Sequence, residues 1–438
     1  MIESLFIANR GEIAVRIIRT CREMGIESVV AYSEADADSL PVQMADRAVC
    51  VGPPAANESY LNARNLVSAA LYSGCDAVHP GVGFLSENAD FARAVADAGL
   101  IFVGPAPETI DFLGNKVQAR RSAEEAGIPV VPGSEGAVKD GTEAKRFAGE
   151  AGYPVIIKAA AGGGGKGMRI VRTAEELEKN LEIAVHEAQT AFGDGTVYLE
   201  HYVENPRHVE IQLLADSAGN VVHLGERDCS LQRSHQKLVE ESPSPGLDRG
   251  LREEMSGAAV RLFEQLGYSG AGTVEFLLED RQFYFMEVNA RVQVEHPVSE
   301  MVTGTDIIRE QIKSCCGEPL GVQQEEITLN GAAIECRINA LTPGRVQQYL
   351  CPGGRNVRMD SFLYPGCTVQ PYYDALLGKL ITYGANRRSA VARMERALRE
   401  LQIEGITTNC DEQLRIVRSA LFRRGTYGTD ALATILEE

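Results

Sequence analysis

The sequence lacks a long apolar run. No segment approaches the ~18 uncharged residues of a membrane span, so a membrane-embedded chain is not expected. The N-terminus has no basic region, and its only apolar run is Leu5-Phe6-Ile7-Ala8, a first strand rather than a signal peptide. No C-x-x-C pair occurs among the ten cysteines; Cys315 and Cys316 are merely adjacent. That argues against structural zinc and a disulfide framework, and it makes a reducing cytoplasm the simplest home. Positive charge is also scarce: 43 Lys and Arg stand against 61 Asp and Glu, a formal net charge of −18. Such a field repels nucleic acid and anionic membranes, so neither is an expected partner. An anionic substrate would need a local cationic pocket. Internal repeats, low-complexity tracts and long linkers are absent too.

With 24% charged and 44% hydrophobic residues, the chain has the balance of a globular protein. At ~150 residues per domain its length suggests about three folding units. The first hundred residues alternate strand and helix signals: Leu5–Ala8, Glu12–Met24, Ser28–Tyr32, Leu61–Tyr72, Ala77–His79, Phe91–Ala98 and Ile101–Val103. This pattern predicts a parallel α/β domain ending near Leu113. A second unit, about Val131 to Val203, holds strands at Pro154–Ala159, Met168–Val171 and Thr196–His201 and a helix at Ala174–Thr190. From His208 antiparallel strands are predicted, the clearest a hairpin of Gly272–Leu278 and Phe283–Asn289. A third segment begins near Asn330.

Glycine is plentiful, 43 of 438 residues, and it concentrates in Gly162-Gly163-Gly164-Gly165-Lys166-Gly167. Such a run lets backbone N–H groups approach an anion closely. A Walker loop fails, because Gly167 follows Lys166 where Ser or Thr should hold magnesium. A dinucleotide fingerprint is weak, because a strand and not a helix follows. A glycine lid between two strands of a nucleotide-binding hairpin fits best. Lys158, just before the run, suits a phosphate contact, and Lys116 is a weaker case.

If the hairpin turn centres on Arg281, Glu275 sits opposite Glu287, with Asn289 on the same face. Opposed carboxylates repel, so one protonates or a cation sits between them. Oxygen ligands without His or Cys point to Mg²⁺ or Mn²⁺. In the following stretch an extended chain points Arg291, Gln293 and Glu295 the same way. They supply a fork for an oxyanion, an amide and a carboxylate able to act as base. His208, Glu210 and Gln212 form one polar strand face. Gln232-Arg233-Ser234-His235-Gln236-Lys237 reads as a cationic loop cluster. Arg337, in a strand among apolar neighbours, needs an anionic partner. His79 marks a strand end where ligands meet open α/β sheets.

Together, Ile7-Ala8-Asn9-Arg10-Gly11-Glu12, His79-Pro80-Gly81, Phe84-Leu85-Ser86-Glu87-Asn88, the 162–169 loop, Asn205-Pro206-Arg207-His208-Val209-Glu210, Arg227-Asp228-Cys229-Ser230, Glu287-Val288-Asn289-Ala290-Arg291 and Glu335-Cys336-Arg337-Ile338-Asn339 resemble biotin carboxylase, the ATP-grasp subunit of biotin-dependent carboxylases. The resemblance spans almost the whole chain. It implies an α/β and α+β architecture: an N-terminal Rossmann-like domain (1–113), a connector (114–130), a lid (131–203), an ATP-grasp core (204–329) and a C-terminal domain (330–438). It implies that bicarbonate attacks the γ-phosphate of MgATP, and that the carboxyphosphate formed delivers CO₂ to N1′ of biotin.

The resemblance also implies roles. Lys116, Lys158 and the Gly162–Gly167 backbone would hold phosphates. Glu200 and Val203 would hold adenine, largely through backbone atoms. His208 and Gln232 would line the nucleotide site, with His235 and Lys237 nearer the phosphates. Glu275 and Glu287, assisted by Asn289, would bind magnesium or manganese, with two ions expected. Arg291, Gln293 and Val294 would hold bicarbonate, Glu295 would be its base, and Arg337 would stabilise the biotin enolate. No Ala-Met-Lys-Met-like motif occurs, so biotin is expected on a separate carrier protein, with carboxyltransferase subunits and a homodimer completing the assembly. Acetyl-CoA is the favoured final acceptor.

Three departures from the family pattern stand out. Val82 replaces a tyrosine that helps line the biotin pocket, Ala340-Leu341-Thr342-Pro343-Gly344 is a shortened loop, and Asn115 replaces an aspartate. Two alternatives remain at this point: another ATP-grasp ligase working through an acyl phosphate, and a nucleotide-binding regulatory subunit without catalysis.

Overall fold

The computed structural model describes residues 2–134, 136–138, 140–159 and 168–437. The glycine run, with Lys166, lies outside the described residues. The N-terminal part is a parallel sheet of β1 (Ser4–Ile7), β2 (Glu27–Ser33), β3 (Arg47–Gly52), β4 (Ala77–His79) and β5 (Ile101–Phe102), in the order β3-β2-β1-β4-β5. β1 is buried at all four positions, and the helix Gly11–Met24 covers it with Ile13, Ile17, Ile18 and Cys21. Gly25 ends that helix in the left-handed conformation a C-cap favours. β3 was not expected from the sequence. It is an edge strand with only Val51 buried, so its apolar pattern is weak.

β6 (Val155–Ala159), β7 (Met168–Val171) and β8 (Val197–His201) form a small antiparallel sheet ordered β7-β6-β8. β6 pairs with β7 on either side of the glycine run, Lys158 opposite Met168. The helix Ala174–Phe192 packs on this sheet through Leu177, Leu181, Ala184 and Ala188.

The largest sheet joins β9 (Arg207–Ala215), β10 (Val221–Arg233), β11 (Gln236–Ser242), β12 (Gly270–Glu279), β13 (Gln282–Asn289), β14 (Ala332–Asn339), β17 (Val357–Ser361) and β19 (Leu376–Gly384). Its order is β13-β12-β9-β10-β11-β14-β19-β17. It runs without a break through residue 330, because β11 pairs with β14. Two short pairs complete the C-terminal part: β15 (Gly344–Arg345) with β18 (Thr368–Val369), and β16 (Gln348–Leu350) with β20 (Gln402–Glu404). Among the described residues no helix is long and apolar enough to cross a membrane.

Candidate active site

The register of the large sheet builds the site. Glu287 lies opposite Glu275, Glu275 opposite Glu210, and Glu210 opposite Arg227. One rung across four strands thus carries three carboxylates and a guanidinium on one face. The expected opposition of Glu275 and Glu287 is present, but the turn does not centre on Arg281. The loop is the two residues Asp280 and Arg281, since Glu279 pairs with Gln282. A bulge at Met286 then shifts the register by one and returns Glu287 to face Glu275.

Lys237, at the start of β11, reaches three carboxylates: Glu210 at 2.6 Å, Glu275 at 2.8 Å and Glu295 at 2.6 Å. Arg227, fully buried, donates to Glu210 and to Gln212. Arg337 bridges Glu240 and, at 3.0 Å, the second oxygen of Glu295. Burial would raise the carboxyl pKa of Glu295, but Lys237, Arg337 and Arg227 outweigh it and hold the pKa well below the usual range. Glu295 is therefore an ionised, acceptor-only group with both oxygens engaged. Glu240 is paired with Arg337 and feels Lys237 as well, but burial and nearby Glu295 push it up to about 7.

β13 ends at Asn289, so Arg291–Glu295 is not the extended stretch expected from the sequence. It is a turn leading into the helix His296–Thr303, with Glu295 at the N-cap. The three side chains nevertheless converge. Arg291 donates to the Gln293 side-chain oxygen at 2.9 Å and to Asn289 Oδ1 at 2.9 Å. Gln293 donates to Glu275 at 3.0 Å. Glu87 fixes Arg291 from the other side at 2.8 Å.

The cationic cluster at 232–237 is also different. It is the tip of the β10–β11 hairpin, with Ser234 and His235 at positive φ. Its side chains diverge: Lys237 points in, Arg233 pairs with Glu412, and His235 is exposed at the tip. Gln232 contacts Nδ1 of His208 at 2.7 Å, and Nε2 of that ring is 2.9 Å from Glu275. Burial disfavours the charged ring, but Glu275 reverses the sign and raises the His208 pKa. The His208–Glu210–Gln212 face is buried, not solvated.

On the small sheet Lys158 and Arg120 both donate to the buried carboxylate of Glu200, Arg120 at 2.9 Å. Glu200 thus has a side-chain task beyond its backbone. Arg120 belongs to the helix Lys116–Glu125, capped by Asn115. Lys116, one turn earlier on the same face, lowers the pKa of Glu287, which burial and Glu275 together raise. That helix therefore spans the cleft between the two sheets. Val203, just beyond β8, is buried.

A divalent cation fits the chemistry of this rung. Glu275 and Glu287 are hard oxygen donors whose mutual repulsion it would relieve. Asn289 is already engaged: its amide N–H donates to Glu275 and its oxygen accepts from Arg291. That oxygen keeps a second lone pair with which it could assist a metal while still accepting from Arg291. His208, Glu210 and Glu275 form a second set of close donors.

His79 ends β4, as expected. It is fully buried, burial pushes its pKa down to about 3, and its Nδ1 accepts from Gly81 N–H at 3.0 Å. Val82 is half-buried on an apolar cluster that includes Val292, and its carbonyl accepts from Asn9. The short loop after Asn339 is tied down by Leu341 N–H to the Thr407 carbonyl at 2.8 Å. Sequence reasoning missed Arg227, Glu240, Arg120 and Glu87 as parts of the site. The signal used for Arg337, a charge between apolar neighbours, is lacking at Arg227, which Glu226 and Asp228 flank, and only half present at Glu240, between Val239 and Glu241.

Three family models match successive parts of the chain. They are Biotin carboxylase, N-terminal domain over residues 1–110; Carbamoyl-phosphate synthase L chain, ATP binding domain over 115–323; and Biotin carboxylase C-terminal domain over 335–434. Biotin carboxylase 1 of Bacillus subtilis is 55% identical, covering 99% of each chain. Among solved structures, a biotin carboxylase complex from Campylobacter jejuni superposes with a TM-score of 0.95 at 48% identity over 99% of each chain. The biotin carboxylase domain dimer of the Hydrogenobacter thermophilus 2-oxoglutarate carboxylase, solved with MgADP, ADP and bicarbonate, gives 0.93 at 45% identity over 99% of this chain and 98% of its own.

Proposed function

The chain belongs to the biotin carboxylase family, and from that premise we infer how its residues divide the work of an ATP- and bicarbonate-dependent ligase that carboxylates biotin. The observation that carries the division is the convergence of Lys237 and Arg337 on the two oxygens of Glu295, beside the opposed pair Glu275 and Glu287. A match over the full chain favours this reading over another ATP-grasp ligase and over a non-catalytic subunit.

Lys116, Lys158 and the 162–167 backbone take the phosphates, and Glu200 and Val203 border the adenine. His208, Gln232 and His235 complete the nucleotide site. Glu275 and Glu287 hold Mg²⁺ or Mn²⁺, with Asn289 as a neighbour. The metal would neutralise phosphate charge and polarise the γ-phosphoryl group. Arg291, Gln293 and Val294 grip bicarbonate, and Glu295 takes its proton as bicarbonate oxygen attacks the γ-phosphorus and ADP leaves. The carboxyphosphate then yields CO₂ and phosphate, and N1′ of biotin loses its proton to phosphate and bonds to CO₂. Arg337 balances the enolate charge that forms, and Val82 borders the biotin.

Glu295 gains basicity only as a cation leaves it. Lys237 is the cation free to go, since an incoming phosphate offers it a new anion.

Biotin arrives on a carrier protein, carboxyltransferase subunits use the product, the working form is a homodimer, and the compartment is the cytoplasm. The Hydrogenobacter relative belongs to a 2-oxoglutarate carboxylase, so the acceptor is to be read from product. Reconstitution with a carrier and carboxyltransferase is expected to give malonyl-CoA from acetyl-CoA. The direct test is ADP release by the purified chain with Mg²⁺, varying bicarbonate and free biotin independently. Turnover is expected to require bicarbonate; equal turnover in bicarbonate-free buffer would refute the reading.

A further inference from the structure

Lys379 lies mid-strand in β19, opposite Arg337 on β14 and Asp360 on β17. Its side chain is 0% exposed. A lysine so placed requires partners that replace water. Its Nζ donates to the carbonyl oxygen of Val294 at 2.7 Å and lies 3.1 Å from Glu12 Oε2. Glu12 is buried in the first turn of the helix Gly11–Met24. One ammonium therefore joins the N-terminal helix, a C-terminal strand and the turn between Gln293 and Glu295.

The residues on either side are held by other groups: the Gln293 carbonyl accepts from His296 N–H at 3.3 Å, its amide donates to Glu275, and the Glu295 carboxylate takes Lys237 and Arg337, while the Val294 carbonyl between them is held by Lys379. The helix that the turn enters, His296–Thr303, begins at Glu295 with no side-chain cap, because the Glu295 carboxylate is turned to Lys237 and Arg337. The Val294–Glu295 peptide is planar, with its C=O and N–H on opposite sides. Pinning the carbonyl to Lys379 aims the Glu295 N–H the other way. It also fixes the directions in which Gln293 and Glu295 leave the chain.

We propose that Lys379, seated on Glu12, is a positioning residue for the bicarbonate turn, so that the N-terminal helix helps to set the affinity for bicarbonate. The inference rests on assigning Arg291, Gln293 and Glu295 to bicarbonate. It concerns neither nucleotide nor metal, and this makes it separable from a general structural role.

The test is steady-state ADP release with bicarbonate and ATP varied independently, alongside thermal unfolding. Lys379→Met is expected to raise the bicarbonate KM about tenfold or more while the ATP KM stays within about twofold. The double variant Lys379→Met with Glu12→Gln removes both charges, guards against misfolding from an unpaired Glu12, and carries the same expectation. Glu12→Gln alone should move the bicarbonate KM in the same direction by a smaller factor. Arg291→Ala is the control for the underlying assignment. If it raises the bicarbonate KM while folded Lys379 variants leave it unchanged, the Lys379 inference falls alone. If Arg291→Ala leaves it unchanged, the bicarbonate site itself is misassigned. Parallel rises in both KM values would show a merely structural lysine and overturn the proposal.

Discussion

Lys158 and Lys237 each donate to buried carboxylates, yet the charge around them is opposite in sign. Around Lys158 one acid, Glu200, serves two cations, because Arg120 shares it. Around Lys237 one ammonium serves three acids, Glu210, Glu275 and Glu295. Arg227 and Arg337 take up oxygens on that side, but Glu240 and Glu287 add further carboxylates. The small-sheet end is thus left cationic and the large-sheet end anionic. A chain of net charge −18 solves the problem of binding an anionic nucleotide locally. Phosphate oxygens suit the first end and a divalent cation the second, and MgATP presents both. The helix Lys116–Glu125 links the two, with Lys116 acting on Glu287 and Arg120 on Glu200.

The strongest way to break this comparison is at the anionic end. Glu295→Gln keeps the shape of the side chain but removes the proton acceptor and the charge that Lys237 and Arg337 share. Bicarbonate-dependent ADP release is expected to fall by ~10²–10⁴-fold, the usual size of a general-base contribution. Undiminished turnover would place the reacting carboxylate elsewhere.

A smaller effect is expected at the cationic end. Lys158→Met removes one charge-assisted donor and leaves Arg120 to satisfy Glu200. The ATP KM should rise about tenfold, the loss of one hydrogen bond to a charged group, while the bicarbonate KM stays put. If both constants move together, the two ends are not separate in function.

How far the sequence reaches can be judged at particular residues. Period-2 alternation places His208, Glu210 and Gln212 on one face, and strand geometry with a turn assumed at Arg281 predicts that Glu275 meets Glu287. The pairing is present through a bulge at Met286 rather than through the assumed turn, because a bulge leaves no clear mark in hydrophobic pattern. Alternation predicts an extended 291–295 stretch, but Pro297 in the first turn of the following helix is itself a helix-start signal. Adjacency alone predicts one cluster at 232–237. A two-residue hairpin tip at positive φ sends neighbours in different directions. Lys379 and Glu12 were invisible, since nothing local tells which buried charge will meet another 367 residues away. Long-range ion pairs are set by packing between units, and pattern within a unit does not carry them.

The finest distinction lies within the large sheet itself, between Glu295 and Glu335. Both are fully buried. Cations hold Glu295 well below the ordinary range, so its pairing stabilises the fold above the unfolded pKa of ~4.3 and is lost as pH falls through the lowered value. Glu335 is the reverse. Burial outweighs Lys379, nearby Glu240 adds repulsion, and neither carboxyl oxygen has a hydrogen-bond partner among the described residues. Its pKa lies well above the ordinary range, so folded Glu335 keeps a proton that the unfolded chain has lost. Stability therefore drains away as pH rises from ~4.3 towards the raised value. Glu335→Gln removes this proton linkage. Relative to the parent, the variant should gain stability with rising pH, by up to about 1.4 kcal/mol per pH unit, in urea unfolding followed from pH 5 to pH 8. A difference that stays flat across that range would mean Glu335 is ionised when folded. The carboxylates at the anionic end would then be more numerous still, and a bound cation would have to balance them.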